Sequence, residues 1–183
     1  MKKLYSNLHL KPTKGTKLIK DSQLFSWVDP DFTSYGLITK EPATKKGNVE
    51  VFEMNTDSTF KEIYALLQGS FDDMVMTQEQ VLQFVSEYKD KLSHDWYTFF
   101  LLKKDSEFFV AYVFSVGTLG VRVGRFSGDV VWDADRRGRV VVPQLKPSTS
   151  HVDPLAPKYF DTLEKRVQKL EETIDKLTKI INI

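Results

Sequence analysis

The chain reads as an α+β protein, two helices on a mostly antiparallel β-meander sheet, followed by a C-terminal coiled-coil helix. Three observations predict this. Two stretches open with capping-box spacing and carry apolar residues at helical period; strand-like runs separated by short polar turns follow from Trp96; and an unbroken heptad seam fills the end of the chain. The expected divisions are a basic, partly irregular N-terminal region over 1–47, an α+β body over 48–143, a proline-rich linker over 144–158 and a coiled coil over 159–183.

Residues 1–50 contain nine lysines, no arginine and five acids, and Pro12, Pro30 and Pro42 interrupt any long element. The first twenty residues are expected to be a loose arm. Leu24, Phe25, Trp27, Val28, Phe32, Tyr35, Leu37 and Ile38 are too apolar for a disordered tail, so the later part should pack on the body.

Asn48 to Met54 alternates, Val49 and Val51 against Phe52 and Met54, which suits a strand. Thr59 with Glu62 forms the first capping box, and Phe60, Ile63, Tyr64 and Leu67 one apolar stripe before Gly69. Thr77 with Gln80 forms the second; Met76 and Val81 have staple spacing, and Val81, Phe84, Val85, Tyr88 and Leu92 predict a helix over 77–92. The run from Glu107 to Val116 is nearly all apolar, as a central strand covered on both faces would be. The two helices are expected on one face and the apolar N-terminal stretch on the other. Leu119 to Phe126, Asp129 to Trp132 and Arg139 to Val142 read as three further strands, antiparallel because their loops are short.

Pro143, Pro147, Pro154 and Pro157 favour a semi-rigid spacer. Beyond it, Phe160, Val167, Ile174 and Ile181 take the a positions and Leu163, Leu170 and Leu177 the d positions of a parallel coil. A β-branched a with Leu at d favours two strands, whereas Tyr159 and Ile180 widen the seam toward three. The stretch from Arg166 through Val167 and Leu170 to Glu171 resembles the short trimerisation motif of parallel three-stranded coiled coils. That resemblance implies an Arg166 to Glu171 contact between neighbouring chains and sets trimer ahead of dimer. A single amphipathic helix lying on its own body is the competing reading, but a strict a/d seam is narrower than the stripe such a helix shows.

Cysteine is absent, so disulfide frameworks, thiolate metal sites and cysteine nucleophiles are excluded. His9, His94 and His151 lie apart with no metal-ligand spacing. Ser93-His94-Asp95 holds the residue types of a catalytic triad, but triad members converge from distant segments, and a polar turn is the better reading. No phosphate loop, dinucleotide fingerprint or nucleophile elbow occurs, so no catalytic residue, metal or cofactor is predicted and the protein is read as no enzyme. No apolar run approaches the roughly 18 residues of a membrane span, and none follows Lys2 and Lys3 as in a signal peptide; a cytoplasmic location is expected.

Arg122, Arg125, Arg136, Arg137 and Arg139 cluster, with only Arg166 elsewhere. Guanidinium groups suit anionic partners, so this cluster is a candidate binding surface; Asp129, Asp133 and Asp135 among them favour local pairing instead. Helix, turn, helix and hairpin over 59–116 is also the element order of a winged-helix module. Against it, the second helix sets Glu79, Glu87 and Asp90 beside Lys89 and Lys91 with no arginine, and the wing would be too apolar for solvent.

The stretch from Met76 to Leu145, with its Thr77-Gln78 helix start, the Trp96-Tyr97 strand, Glu107 to Ala111 and the ending Arg139 to Leu145, resembles a group of small uncharacterised bacterial open reading frames. The resemblance implies no activity. The expected function is a non-catalytic homo-oligomeric interaction or scaffold protein presenting a multivalent binding surface. Its first partner is itself, then another protein, with no membrane. The alternative is a nucleic-acid-binding regulator using the lysine-rich arm and the arginine-rich hairpin.

Overall fold

Runs that are apolar at every position need cover on both faces, and three of them, Phe99–Leu102, Phe109–Ala111 and Val140–Val142, are wholly buried. They make the centre of one mixed sheet of seven strands. In the computed structural model, which describes residues 1–145 except Val116, the strands are β1 (Lys2–Leu10), β2 (Trp27–Val28), β3 (Gly47–Glu53), β4 (Tyr97–Lys104), β5 (Glu107–Phe114), β6 (Gly120–Arg125) and β7 (Arg139–Pro143). Their spatial order is β1-β3-β7-β4-β5-β6-β2. β7 runs parallel to β4 and β2 parallel to β6, while every other pair is antiparallel. Among the described residues four α-helices accompany the sheet: α1 (Asp31–Ser34), α2 (Phe60–Ala65), α3 (Phe71–Met74) and α4 (Gln78–Glu87).

The α+β class is as expected, but the sheet is not a continuing meander. β4, β5 and β6 do follow one another antiparallel; β7 then crosses back to lie between β3 and β4. Its three valines require cover on both faces, which the edge beside β6 cannot supply and the centre can. The segment Asp129 to Trp132, expected as a strand, contributes only a single bridge between Ser58 and Trp132. It belongs to the crossing that carries the chain over the sheet.

The helices also divide differently. Phe60, Ile63 and Tyr64 of α2 pack with Phe99, Leu101, Val110, Val140 and Val142 on one face. Val81, Phe84 and Val85 of α4 pack with Phe100, Phe109, Ala111 and Val141 on the other, where Ile19, Phe25, Phe32 and Leu37 join them. Opposite placement excludes the helix-turn-helix geometry that a winged-helix reading needs. The central strands β3, β4, β5 and β7 supply both cores by alternation, with Val49 and Val51 on the α4 side and Phe52 and the following Met54 on the α2 side.

Both capping boxes form as the spacing predicts. The hydroxyl of Thr59 accepts the Glu62 N–H and that of Thr77 the Gln80 N–H, while the Glu62 and Gln80 side chains return to the cap N–H groups. Each cap contributes about 1 kcal/mol. α4 has 10 residues, too few to hold alone in water, so its stability comes from burial of Val81, Phe84 and Val85, roughly 2 kcal/mol each.

The N-terminus is no loose arm. Lys2–Leu10 pairs along β3 and forms one edge of the sheet, with its register shifting between Lys3 and Leu8 and Asn7 at φ 58°. An edge interrupted in this way resists pairing with a further strand. What composition registers as lysine-rich tail is a strand whose Leu8 and Leu10 face the α4 core and whose Lys3 reaches the buried Glu50 at 2.8 Å. The linker after Leu145 and the coiled-coil positions Phe160, Leu163, Arg166, Val167, Leu170, Glu171, Ile174, Leu177 and Ile181 lie outside the described residues. Among the described residues no helix is long and apolar enough to cross a membrane.

Candidate functional site

β6 places Gly120, Arg122 and Gly124 on one face and Val121 and Val123 on the other, by strict alternation. The valines are buried in the α4-side core. On the opposite face Phe114 of β5 pairs with Gly120 and Tyr112 with Arg122, and the Tyr112 ring also reaches Gly124, where a Cβ would lie 3.6 Å from it. A Cβ on Gly120 would fall within the space of the Phe114 ring, so only glycine lets that ring lie across the strand.

A chain of rings results. Trp27 lies 6.2 Å from Phe114, Phe114 lies 6.0 Å from Tyr97, and Tyr97 lies 5.6 Å from Trp132, centroid to centroid. Trp132 is the hub, 5.3 Å from Tyr112 and 5.0 Å from both Phe60 and Phe99. The inner end of this array is core; the outer end is not. Trp27 is 42% exposed, Phe114, Tyr97 and Tyr112 are half-buried, and Val130 and Val131 just before Trp132 are 61% and 62% exposed. Large apolar side chains gathered at solvent are the informative kind of exposure. The Trp96 and Trp132 Nε1 groups have no acceptor among the described residues. Burial pushes the Tyr112 hydroxyl above its ordinary pKa, with the positive charge of Arg122 opposing.

Two of the predicted arginines border these rings. The Arg122 guanidinium sits 5.6 Å over Trp27 and that of Arg136 sits 4.1 Å over Trp96, both within cation–π range. Arg136 also pairs with Asp133 at 3.6 Å. Arg137 stands beside it, at φ 51°, exposed at the end of the turn Ala134–Arg136. The other two go elsewhere. Arg125 pairs with Glu107 across the β5–β6 hairpin at 3.2 Å and stacks 4.9 Å over Tyr35 on the α4 side. Arg139 donates to the carbonyls of Lys91 and Leu92 at 2.8 and 2.9 Å, closing the turn after α4. The five arginines therefore do not form one patch.

Ser93 acts as turn chemistry would have it. Its hydroxyl donates to the Arg137 carbonyl and accepts the Trp96 N–H, and its N–H donates to the Thr98 hydroxyl at 2.8 Å. His94 and Asp95 are exposed beside it. His9 bonds Asn48 at 2.6 Å at the far edge of the sheet.

Sequence reasoning gave Tyr97 only a place in a strand, and it took Tyr112 and Phe114 for residues of a central strand covered on both faces because nearly every neighbour is apolar. The available signal was the Gly120-x-Arg122-x-Gly124 alternation, which denies those rings a flanking layer. Compared with known proteins, the chain matches no family model, no curated protein and no solved structure.

Proposed function

We propose that this chain is a non-catalytic interaction protein that works as a homo-oligomer, its C-terminal heptad segment multiplying copies of the aromatic surface on the body. One observation carries the choice of surface: Trp27, Tyr97, Tyr112 and Phe114 stand partly exposed in one ring chain with Arg122 over its outer end. Trp, Tyr and Arg are the residue types that dominate contact energies in protein interfaces. The partner is accordingly another protein. Gathering copies of a modest surface raises avidity by about two to four orders of magnitude without any new contact.

The a/d pattern from Phe160 to Ile181 supports self-association, with three chains favoured by Arg166 and Glu171. Light scattering on the full chain beside a version ending at Pro157 tests it. The full chain should weigh as a small oligomer and the shorter version as a monomer; a monomeric full chain rejects the reading. Arg122 and Arg136 beside exposed rings give some support to nucleic-acid binding as a second reading, since bases stack on such platforms. Loss of low-salt heparin retention on reversing the charge of Arg136 and Arg137 would favour it, and no retention by the unaltered chain would exclude it.

A further inference from the structure

On the other face of the sheet from the aromatic surface, an open trough runs along the flank of α4. It consists of two clefts of about 440 and 700 Å³ that share Lys11, Pro12 and Glu87. Its apolar lining is Leu24, Leu82 and Pro12 in one cleft and Leu10 with the rings of His9 and Tyr88 in the other. One wall is the α4 surface with Glu79 and Glu87; the other carries Lys11, Lys17 and Lys46.

The charges on the two walls are not equivalent. Glu87 is occupied by Lys11 at 2.9 Å, and Glu79 accepts the Thr16 N–H at 3.1 Å, so both carboxylates are committed to holding the trough together. Lys17 and Lys46 are exposed, and among the described residues neither has an ion-pair partner. The loops that carry them are fixed in place. Thr13 and Thr44 exchange both backbone hydrogen bonds at 3.1 Å, and their hydroxyls meet at 2.8 Å. Gly15, at φ 68°, lies so close to the carbonyls of Glu41 and Pro42 that no other residue fits. Cations held on rigid backbone over an apolar floor lose less entropy on engaging a ligand than cations on a flexible tail.

We propose that this trough binds an extended peptide segment of a partner protein that carries acidic residues beside aliphatic ones. The lysines take its carboxylates and the leucine floor takes its apolar side chains. A polynucleotide would bring one phosphate per nucleotide to a trough that offers, beside the Lys11–Glu87 pair, only Lys17 in one cleft and Lys46 in the other, so a peptide with sparser charge and apolar side chains matches the lining better. With the aromatic surface on the opposite face, the body would then hold two partners at once.

The test uses the full chain and a fluorescein-labelled short peptide alternating Glu and Leu, read by anisotropy at low and moderate salt. Binding should weaken as salt rises, and the double variant Lys17→Glu with Lys46→Glu should lose affinity by about tenfold or more. Both lysines are exposed, and an unchanged circular dichroism spectrum shows that the variant is folded. A peptide alternating Glu and Ser should bind more weakly than the Glu-Leu peptide, which isolates the leucine floor. Absence of binding at low salt would overturn the proposal, as would equal binding by the charge-reversed variant. Tighter binding of a single-stranded oligonucleotide through the same lysines would also reject it, in favour of a nucleic-acid site.

Discussion

The carboxylate of Glu41 accepts the backbone N–H of Gln78 at 2.6 Å, tying the loop after α1 to the first turn of α4. Burial pushes the Glu41 carboxyl up to about 7, the hydrogen bond from Gln78 opposing the shift and the nearby charge of Glu79 adding to it. A carboxyl raised on folding contributes stability that is fully present below its unfolded pKa and lost as pH rises through the folded one. Here the window runs from about 4.5 to about 7. Glu62, Glu87 and Asp90 are shifted down by hydrogen bonds to Thr59, Lys11 and Lys91, so their contributions disappear only as pH falls below the ordinary carboxylate range. Stability should therefore peak on the acid side of neutrality. Glu41→Gln should remove the upper slope and leave the variant more stable than the parent at pH 8, by about 2 kcal/mol. Urea unfolding across pH checks both; a parent whose stability rises from pH 5 to 8 contradicts the assignment.

The Gln78 side chain joins two separate parts of the N-terminal stretch. Its Oε1 accepts the Ile19 N–H at 3.0 Å and its Nε2 donates to the Leu37 carbonyl at 3.1 Å, all in a site where Gln78 is 1% exposed. Gln78→Ala leaves a buried donor and a buried acceptor without partners, and should cost about 2–4 kcal/mol. Gln78→Glu keeps the Ile19 bond and loses the other, so it should also destabilise. Denaturant midpoints at unchanged slope measure both losses.

Tyr64 is wholly buried beside Phe126, and its hydroxyl has no partner among the described residues. Tyr64→Phe removes the unpaired oxygen and keeps the ring. It should stabilise the body by about 1 kcal/mol and raise the melting temperature by a few degrees. A lower melting temperature would show that the hydroxyl has a partner.

Gly120 beneath Phe114 holds the outer ring chain in place. Gly120→Val should favour the strand by propensity yet displace the Phe114 ring and part it from Trp27 and Tyr97. Near-ultraviolet circular dichroism and Trp27 fluorescence should change while far-ultraviolet helix and strand content stays the same. If capture of a partner depends on the aromatic surface, it should weaken in parallel.

Patterns that span a few residues were legible in the chain at the helix starts and along β3, although Asp129 to Trp132 was misread as a strand and the helix expected over 77–92 is α-helical only over Gln78–Glu87. Thr59-Glu62 and Thr77-Gln80 form capping boxes wherever a helix starts, and the alternation of Val49, Val51, Phe52 and Met54 divides β3 between its two faces whatever lies beyond. Those patterns depend on contacts three or four residues apart, or on the two-residue period of an extended backbone. The order of the strands does not. That β7 inserts beside β4, that Lys2–Leu10 is an edge strand, and that α2 and α4 take opposite faces are decided by which apolar surfaces can be covered together. That is a property of the whole packed molecule. The outer rings obey the same division: Trp27, Tyr97, Tyr112 and Phe114 are apolar enough for a core, and their partial exposure follows from where the sheet places them, with Gly120 leaving room for the Phe114 ring.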